Sequence, residues 1–150
     1  RILSSVQIDI VQLHGDESPQ YCQQLNHPII KVFRVDSQFD EKLLTKYNVS
    51  AFLFDTYKRG LPGGTGELFS WELLHHIEFN RPMILSGGLK LDNVLDAIKS
   101  VQPTAIDINS GVENCPGEKN HEKIKTLFEL TGKVEDSSNI FKTIMEAHNV

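Results

Sequence analysis

Asp55 ends a short apolar run, Phe52-Leu-Phe-Asp, and a glycine-rich segment, Gly60-Leu-Pro-Gly-Gly-Thr-Gly66, follows it. A carboxyl group at the end of a buried strand can exchange a proton with a bound molecule as a general acid. It can equally close the strand as an Asx turn that accepts local N–H groups. Taken alone, the stretch leaves both readings open. Two further strand ends consist of small residues, Ser86-Gly-Gly-Leu89 and Asn109-Ser-Gly-Val112. Glycine there lets the backbone approach a ligand closely, and the N–H groups of such loops bind anions. Either loop could be an ordinary strand-to-helix turn. Their succession at the last two strand ends favours a phosphate site, because many barrel enzymes hold phosphate there.

The remaining polar candidates are less decided. His14, after Val11-Gln-Leu, suits a ligand contact, an acid–base group or a structural hydrogen bond, and Asp107 has the same alternatives. The glycine segment lacks the G-x-G-x-x-G spacing and no Lys-Ser/Thr follows it, so it is neither a dinucleotide fingerprint nor a Walker loop. It reads as a mobile cover for a ligand, with Phe69 and Trp71 anchoring the next helix and Trp71 in the core. His75 and His76 are adjacent, point to different sides of a helix and are poor joint metal ligands. His121 falls on an exposed helical turn. Cys22 within a helix and Cys115 in a loop have no base partner, so neither reads as a nucleophile. Two cysteines also make no disulfide framework and no zinc spacing, which fits a reducing, cytoplasmic compartment.

The elements that must carry these residues repeat one character. Val11–Gly15, Lys31–Val35, Phe52–Thr56, Met83–Gly87 and Ala105–Asn109 are β-rich apolar runs that stop on polar or glycine residues. Helical signals lie between and after them: Ser18-Pro19 opening Pro19 to Leu25, then Asp40 to Tyr47, Asp92 to Ser100, and His121 to Leu130. Strands alternating with helices imply βα units, a parallel sheet and right-handed crossovers. An open sheet gathers its ligand at one switch point, whereas a barrel collects residues from many strand ends. Functional-looking residues after strand upon strand therefore favour an α/β fold of the TIM (β/α)₈-barrel class. Five units do not close such a barrel, so the chain is expected to be the C-terminal part of a longer protein. Residues 1–134 then form a partial barrel, and 135–150 an extension, either a docking helix or the start of a linker. Within it, Asp136-Ser-Ser-Asn139 reads as a helix start, followed by Ile140, Phe141, Ile144 and Met145 on one face.

Composition sets outer limits. At 150 residues with 39% hydrophobic and 23% charged residues, the chain has material for one domain with a core. A net charge of −5 argues against nucleic-acid and anionic-membrane partners, which demand clustered Lys and Arg. The apolar runs fall far short of the roughly 20 residues needed to span a bilayer. The opening RILSSVQIDI carries no signal-peptide pattern.

The ordered set VQLHGDE (11–17), LFDT (53–56), GGTGELFSW (63–71), LSGGLKLDNV (85–94) and DINSGVENCPGEKNHEKI (107–124) resembles phosphoribosylanthranilate isomerase, the barrel enzyme of tryptophan biosynthesis. The pattern Asp-x-x-Ser-Gly-Val-Glu followed by Pro-Gly-x-Lys is the most telling part. The resemblance implies a cofactor-free Amadori rearrangement of the phosphorylated small molecule N-(5′-phosphoribosyl)anthranilate. It places Asp55 as general acid, Gly87, Gly88, Ser110 and Gly111 around the substrate phosphate, and Asp107 and His14 nearer the anthranilate end. It also implies strands four to eight of the barrel, and fusion to or an operon with other tryptophan-pathway enzymes. The family's general base is a cysteine in a Lys-x-Cys-Gly motif of the first strand, and these residues contain no such motif. As given, the chain is expected to be inactive. Other readings are an indole-glycerol-phosphate synthase, which needs lysines at strand ends where Lys31 and Lys58 do not sit, a sugar-phosphate epimerase using His14 and Asp55, or a non-catalytic phosphate-binding domain.

Overall fold

The computed structural model describes residues 3–36, 38–55, 71–132 and 139–148. Five parallel strands form one sheet in the order of the chain: β1 (Val11–Leu13), β2 (Ile29–Arg34), β3 (Ala51–Asp55), β4 (Met83–Ser86) and β5 (Ala105–Ile106). Strand direction and neighbour order alone already favour a barrel arc over a doubly wound sheet, whose strand order reverses at a switch point. The placement of the connections completes the case. Cys22 of α1 (Pro19–Gln23), Leu44 of the 3₁₀ segment Glu41–Lys46, Leu74 after the short 3₁₀ turn Trp71–Leu73, and Ala97 of α2 (Val94–Val101) all join one core cluster. Every described crossover thus lies on one face, as in a (β/α)₈ barrel and unlike a sheet wound on both sides.

That outer face holds a group of aromatic rings among its aliphatic residues. On β3, Phe52 and Phe54 point outward while Ala51, Leu53 and Asp55 point inward, following the two-residue period of a strand. Phe33 of β2 sits between them, with ring centroids 5.7 Å from Phe52, 6.1 Å from Phe54 and 5.2 Å from Tyr47. The contacts with Phe52 and Tyr47 are edge-to-face and that with Phe54 is stacked; aromatic pairs of either kind add about 0.5–1.5 kcal/mol beyond area burial. Trp71 packs partly buried against the same cluster, a core role as expected from the sequence.

Several boundaries differ from the sequence expectation. β2 begins at Ile29, ahead of Lys31, and β5 stops at Ile106. The segment after Asp40 winds as a 3₁₀ helix, closed by three-residue steps from Leu43 N–H to Asp40 O at 2.9 Å and Tyr47 N–H to Leu44 O at 3.0 Å. A two-stranded antiparallel hairpin, β6 (Glu113–Cys115) with β7 (Glu118–Lys119), takes the place of the expected loop and leads into α3 (His121–Thr131). The glycine segment 60–66, Phe69, Lys58 and the Asp136-Ser-Ser start lie outside the described residues. Among the described residues no helix is long and apolar enough to cross a membrane.

The inner face of the sheet carries Ile30, Val32, Ala51, Leu53 and Ile84, and a last helix covers it. In α4 (Ile140–His148), Asn139 accepts from the Phe141 N–H at 3.1 Å at the helix start. One turn apart, Ile140 and Ile144 pack on those five residues, and Ile144 is fully buried. Phe141 and Met145, on the neighbouring stripe, stay exposed. Ile144→Ala should therefore destabilise the chain by about 2–5 kcal/mol, as cavity-forming truncations do. Phe141→Ser should change stability by less than about 0.5 kcal/mol. Urea unfolding followed by circular dichroism reads both, and equal midpoints for the two variants would show that α4 does not cover this face.

Candidate active site

Register brings the polar strand ends together. Arg34 of β2 pairs with Asp55 of β3, and Asp55 pairs with Ser86 of β4. One step on, the Asp107 N–H donates to Leu85 O at 2.8 Å, which sets Asp107 beside Ser86. Below them the inner face is apolar, through Val32, Leu53 and Ile84. A cavity of about 320 Å³ opens at these C-terminal ends and is lined by His14, Asp55, Asp107 and the two small-residue loops at 86–89 and 108–110. His14, Asp55, Gly87, Gly88, Asp107 and Ser110, proposed from sequence as site residues, share this one cavity.

The seventh, Gly111, stands next to it. A Cβ there would lie 2.0 Å from the Leu89 carbonyl oxygen, so Gly111 is the point where the loop after β5 presses against the loop after β4. Its backbone approach, with no room for a side chain, keeps Ser110 at the cavity wall. Gly87 and Gly88 have φ of 84° and 65°, a left-handed backbone that glycine adopts without strain. The Asn93 side chain fixes this turn: it accepts from the Lys90 N–H at 2.8 Å and donates to Gly88 O at 3.0 Å. The Ser86 hydroxyl donates to Asp107 O at 3.2 Å and ties the two strand ends to each other.

His14 Nε2 lies 3.5 Å from Asp55 Oδ2. That is too long for a well-formed N–H···O bond and becomes an ion pair when the imidazole is protonated. Asp55 is about one-fifth exposed and His14 nearly half, at 21% and 47%, so the carboxylate sits deeper and the imidazole nearer the opening. A ligand in this cavity would meet a carboxyl and an imidazole from one pair of strand ends and the turns at 86–89 and 108–110 from the other. Cys22 is buried and its thiol pKa is raised by that burial, which keeps it a thiol, while Cys115 is on the surface with its thiol 3.5 Å from Glu118 Oε2. Among the described residues no group of three or more His, Cys, Asp or Glu is placed to hold a metal ion.

Three contributors escaped the sequence reading. Gln12 lines the cavity two residues before His14, as strand alternation would have told. Asn93 had no signal. Lys31, which the sequence places at the start of a strand, is only 2% exposed and sits in mid-strand. Its ammonium donates to Gly15 O at 2.8 Å, Val32 O at 3.0 Å and Glu17 Oε2 at 3.2 Å. These acceptors offset the desolvation of a buried charge. Glu17 Oε2 also accepts from the Gly15 N–H at 3.0 Å, and the Tyr47 hydroxyl donates to Glu17 O at 3.0 Å. The loop carrying His14 is thus laced to a buried cation on the outer side of the sheet.

The sequence model of the N-(5′phosphoribosyl)anthranilate (PRA) isomerase family matches residues 1–130. The chain belongs to this family. An N-(5′-phosphoribosyl)anthranilate isomerase from Syntrophomonas wolfei is 42% identical over 130 residues, covering 87% of this chain and 64% of that protein. Phosphoribosyl anthranilate isomerase from Thermotoga maritima superposes with a TM-score of 0.70 at 34% identity, over 87% of this chain and 65% of the other. A further solved isomerase, in complex with reduced 1-(o-carboxyphenylamino)-1-deoxyribulose 5-phosphate, gives a TM-score of 0.64 at 32% identity, over 85% of this chain and 61% of the other. The chain spans under two thirds of the length of these isomerases. All the cavity residues fall inside the stretch that matches the isomerase family, whereas α4 lies beyond it.

The lacing of the His14 loop has a pH signature. Partial burial works to raise the Glu17 pKa, but its backbone hydrogen bonds and the Lys31 ammonium together hold the carboxyl below its ordinary 4.5. A carboxyl depressed in the folded state adds stability that is fully present above its unfolded value and is lost as pH falls through the folded one. Glu17→Gln should therefore be less stable than the parent at pH 7, and the gap should close on acidification below about pH 4. Urea midpoints across pH check this. A gap that stays constant with pH would show that the Glu17 charge does not support the loop.

Proposed function

We propose that this chain supplies the acid and phosphate side of an N-(5′-phosphoribosyl)anthranilate isomerase of tryptophan biosynthesis. Residues 1–134 are the barrel portion in this reading, and 135–150 an extension. The single observation that carries it is one cavity holding Asp55 and His14 at one wall and both glycine loops at the other, inside the stretch that matches the family. The isomerase solved with a reduced 5-phosphate ligand supports a phosphorylated small molecule as substrate.

In this reading the loops at 86–88 and 109–110 hold the 5′-phosphate and so fix the ribose above β3. Asp55, protonated, gives its proton to the furanose ring oxygen as the bond from C1′ to that oxygen breaks, and the anthranilate nitrogen becomes a Schiff base. Removal of the C2′ proton then yields an enamine, which tautomerises to the 1-amino-ketose. The oxidation level moves from C1′ to C2′ within one molecule, so neither metal nor redox cofactor is called for. His14, 3.5 Å from Asp55, is placed to stabilise the carboxylate formed after proton transfer. The C2′ proton would go to the cysteine of a Lys-x-Cys-Gly strand, a motif these residues do not contain. A cytoplasmic location, and fusion to or an operon with other enzymes of the pathway, belong to the same proposal.

Two alternatives lose ground on geometry. Lys31 is buried against Gly15 and Glu17 rather than aimed into the cavity, so it cannot serve as the strand-end lysine of a synthase. His14 and Asp55 stand on the same side of the cavity, which does not suit an epimerase that works from opposite faces. In a polypeptide that also carries the Lys-x-Cys-Gly strand, Asp55→Asn should lower kcat by about 10²–10⁴-fold with little change in KM. Steady-state isomerisation kinetics check it, and near-normal turnover would refute the general-acid role. These 150 residues alone should bind inorganic phosphate and show no isomerisation.

A further inference from the structure

The motif Pro116-Gly-Glu-Lys119 lies outside the cavity, yet its lysine reaches the cavity wall. Lys119 Nζ donates to the Asn109 backbone carbonyl at 2.9 Å and also to the Asn109 side-chain oxygen. Asn109 and Ser110 both line the cavity. The same ammonium donates to Glu113 Oε1 at 2.7 Å. Glu113 is in turn held from the helix side, where Lys123 Nζ donates to its backbone carbonyl at 2.6 Å. The Asn120 N–H donates to Val112 O at 2.8 Å, and its side chain to Asn114 Oδ1 at 2.6 Å, so β7 is folded back against the loop it leaves. Hydrogen bonding to Lys119 is the main reason the Glu113 carboxyl sits below its ordinary range.

The loop needs such support. β5 is two residues long, and the chain leaves the ladder after Asp107. From there to the 3₁₀ turn Ser110–Val112 it is held on the sheet side by the close approach of Gly111 to Leu89. On the other side the described contacts come from the hairpin.

We propose that Lys119 is a positioning residue for phosphate recognition: the β6–β7 hairpin is a clasp whose lysine, braced by Glu113, fixes Asn109 and so presents Ser110 to the anion. This rests on the reading of the cavity as a phosphate site. A charged lysine near an anion could also act simply through space, and the two roles make opposite predictions at Glu113. Neutralising Glu113 removes a nearby negative charge, which strengthens anion binding if Lys119 acts only by charge. It weakens binding if Glu113 braces the clasp.

The test is titration of the 150-residue chain with inorganic phosphate at fixed ionic strength, followed by calorimetry and by ³¹P NMR. Lys119→Met should weaken phosphate binding about tenfold or more, Glu113→Gln several-fold, and Lys119→Arg should restore part of the loss. Thermal unfolding of each variant shows whether the fold is kept, and Glu113→Gln stands as the second variant if Lys119→Met does not fold. Tighter binding by Glu113→Gln, or unchanged binding by Lys119→Met, would overturn the clasp while leaving the phosphate site intact. No phosphate binding by the parent chain would instead overturn the reading of the site, and the clasp with it.

Discussion

Everything at the cavity depends on the register of β3 against its two neighbours. Phe52 and Phe54 must face the helices, because their rings meet Phe33, Phe39 and Phe79 there. Once they do, the two-residue period sends Ala51, Leu53 and Asp55 to the inner face with no freedom left. A slip by one residue would move the aromatic set inward and the carboxylate outward, so packing on one side of the sheet fixes chemistry on the other. Parallel pairing extends this constraint sideways. Arg34, Asp55 and Ser86 fall in one row because Val32 pairs with Leu53 and Leu53 with Ile84 below them. The cavity is thus the uppermost layer of a stack whose lower layers are hydrophobic.

This is also why so much of the site is legible in the sequence. An apolar run that stops on a polar residue is the projection of such a stack onto the sequence, and the ends of β3 and β4 were legible for that reason. What was missed lies where the projection fails. Pro28 looks like a strand boundary, but its carbonyl accepts from the Val11 N–H at 2.9 Å and the ladder is already under way at Ile29. Lys31 looks like a polar edge, since sequence alone does not show that Gly15 and Glu17, more than a dozen residues earlier, supply its acceptors. The hairpin β6–β7 has a Pro-Gly turn signal but no alternating apolar strands, so pattern reading passes over it. Its stability comes from polar contacts, of which Glu113 with Lys119 is one.

A common device links the two ends of the sheet. The loop after β1 and the loop after β5 are each fastened by a lysine that takes backbone carbonyl and carboxylate oxygens together, Lys31 through Gly15 and Glu17, Lys119 through Asn109 and Glu113. Their environments differ: Lys31 is buried and Lys119 is 40% exposed. Desolvation makes the first pair costly to disturb by removing one partner. The second pair is screened by water, and its effect depends on geometry more than on charge. In both cases a short loop with few apolar contacts of its own is held by a side chain arriving from a separate element.

The inner face poses the complementary problem of what covers an arc of barrel. A sheet with helices on one side leaves its other side apolar, and in a closed barrel that side is filled by side chains from the opposite strands. Here α4, which lies beyond the stretch matched by the family, places Ile140 and Ile144 over Ile30, Val32, Ala51, Leu53 and Ile84. A helix contributes one stripe where strands would contribute a surface, so it can fill the centre of the face but not pair the edges of β1 and β5. The contacts fall in the lower layers, beneath Asp55 and Ser86. That division lets the same sheet bury an apolar floor while its polar rim stays open to a ligand.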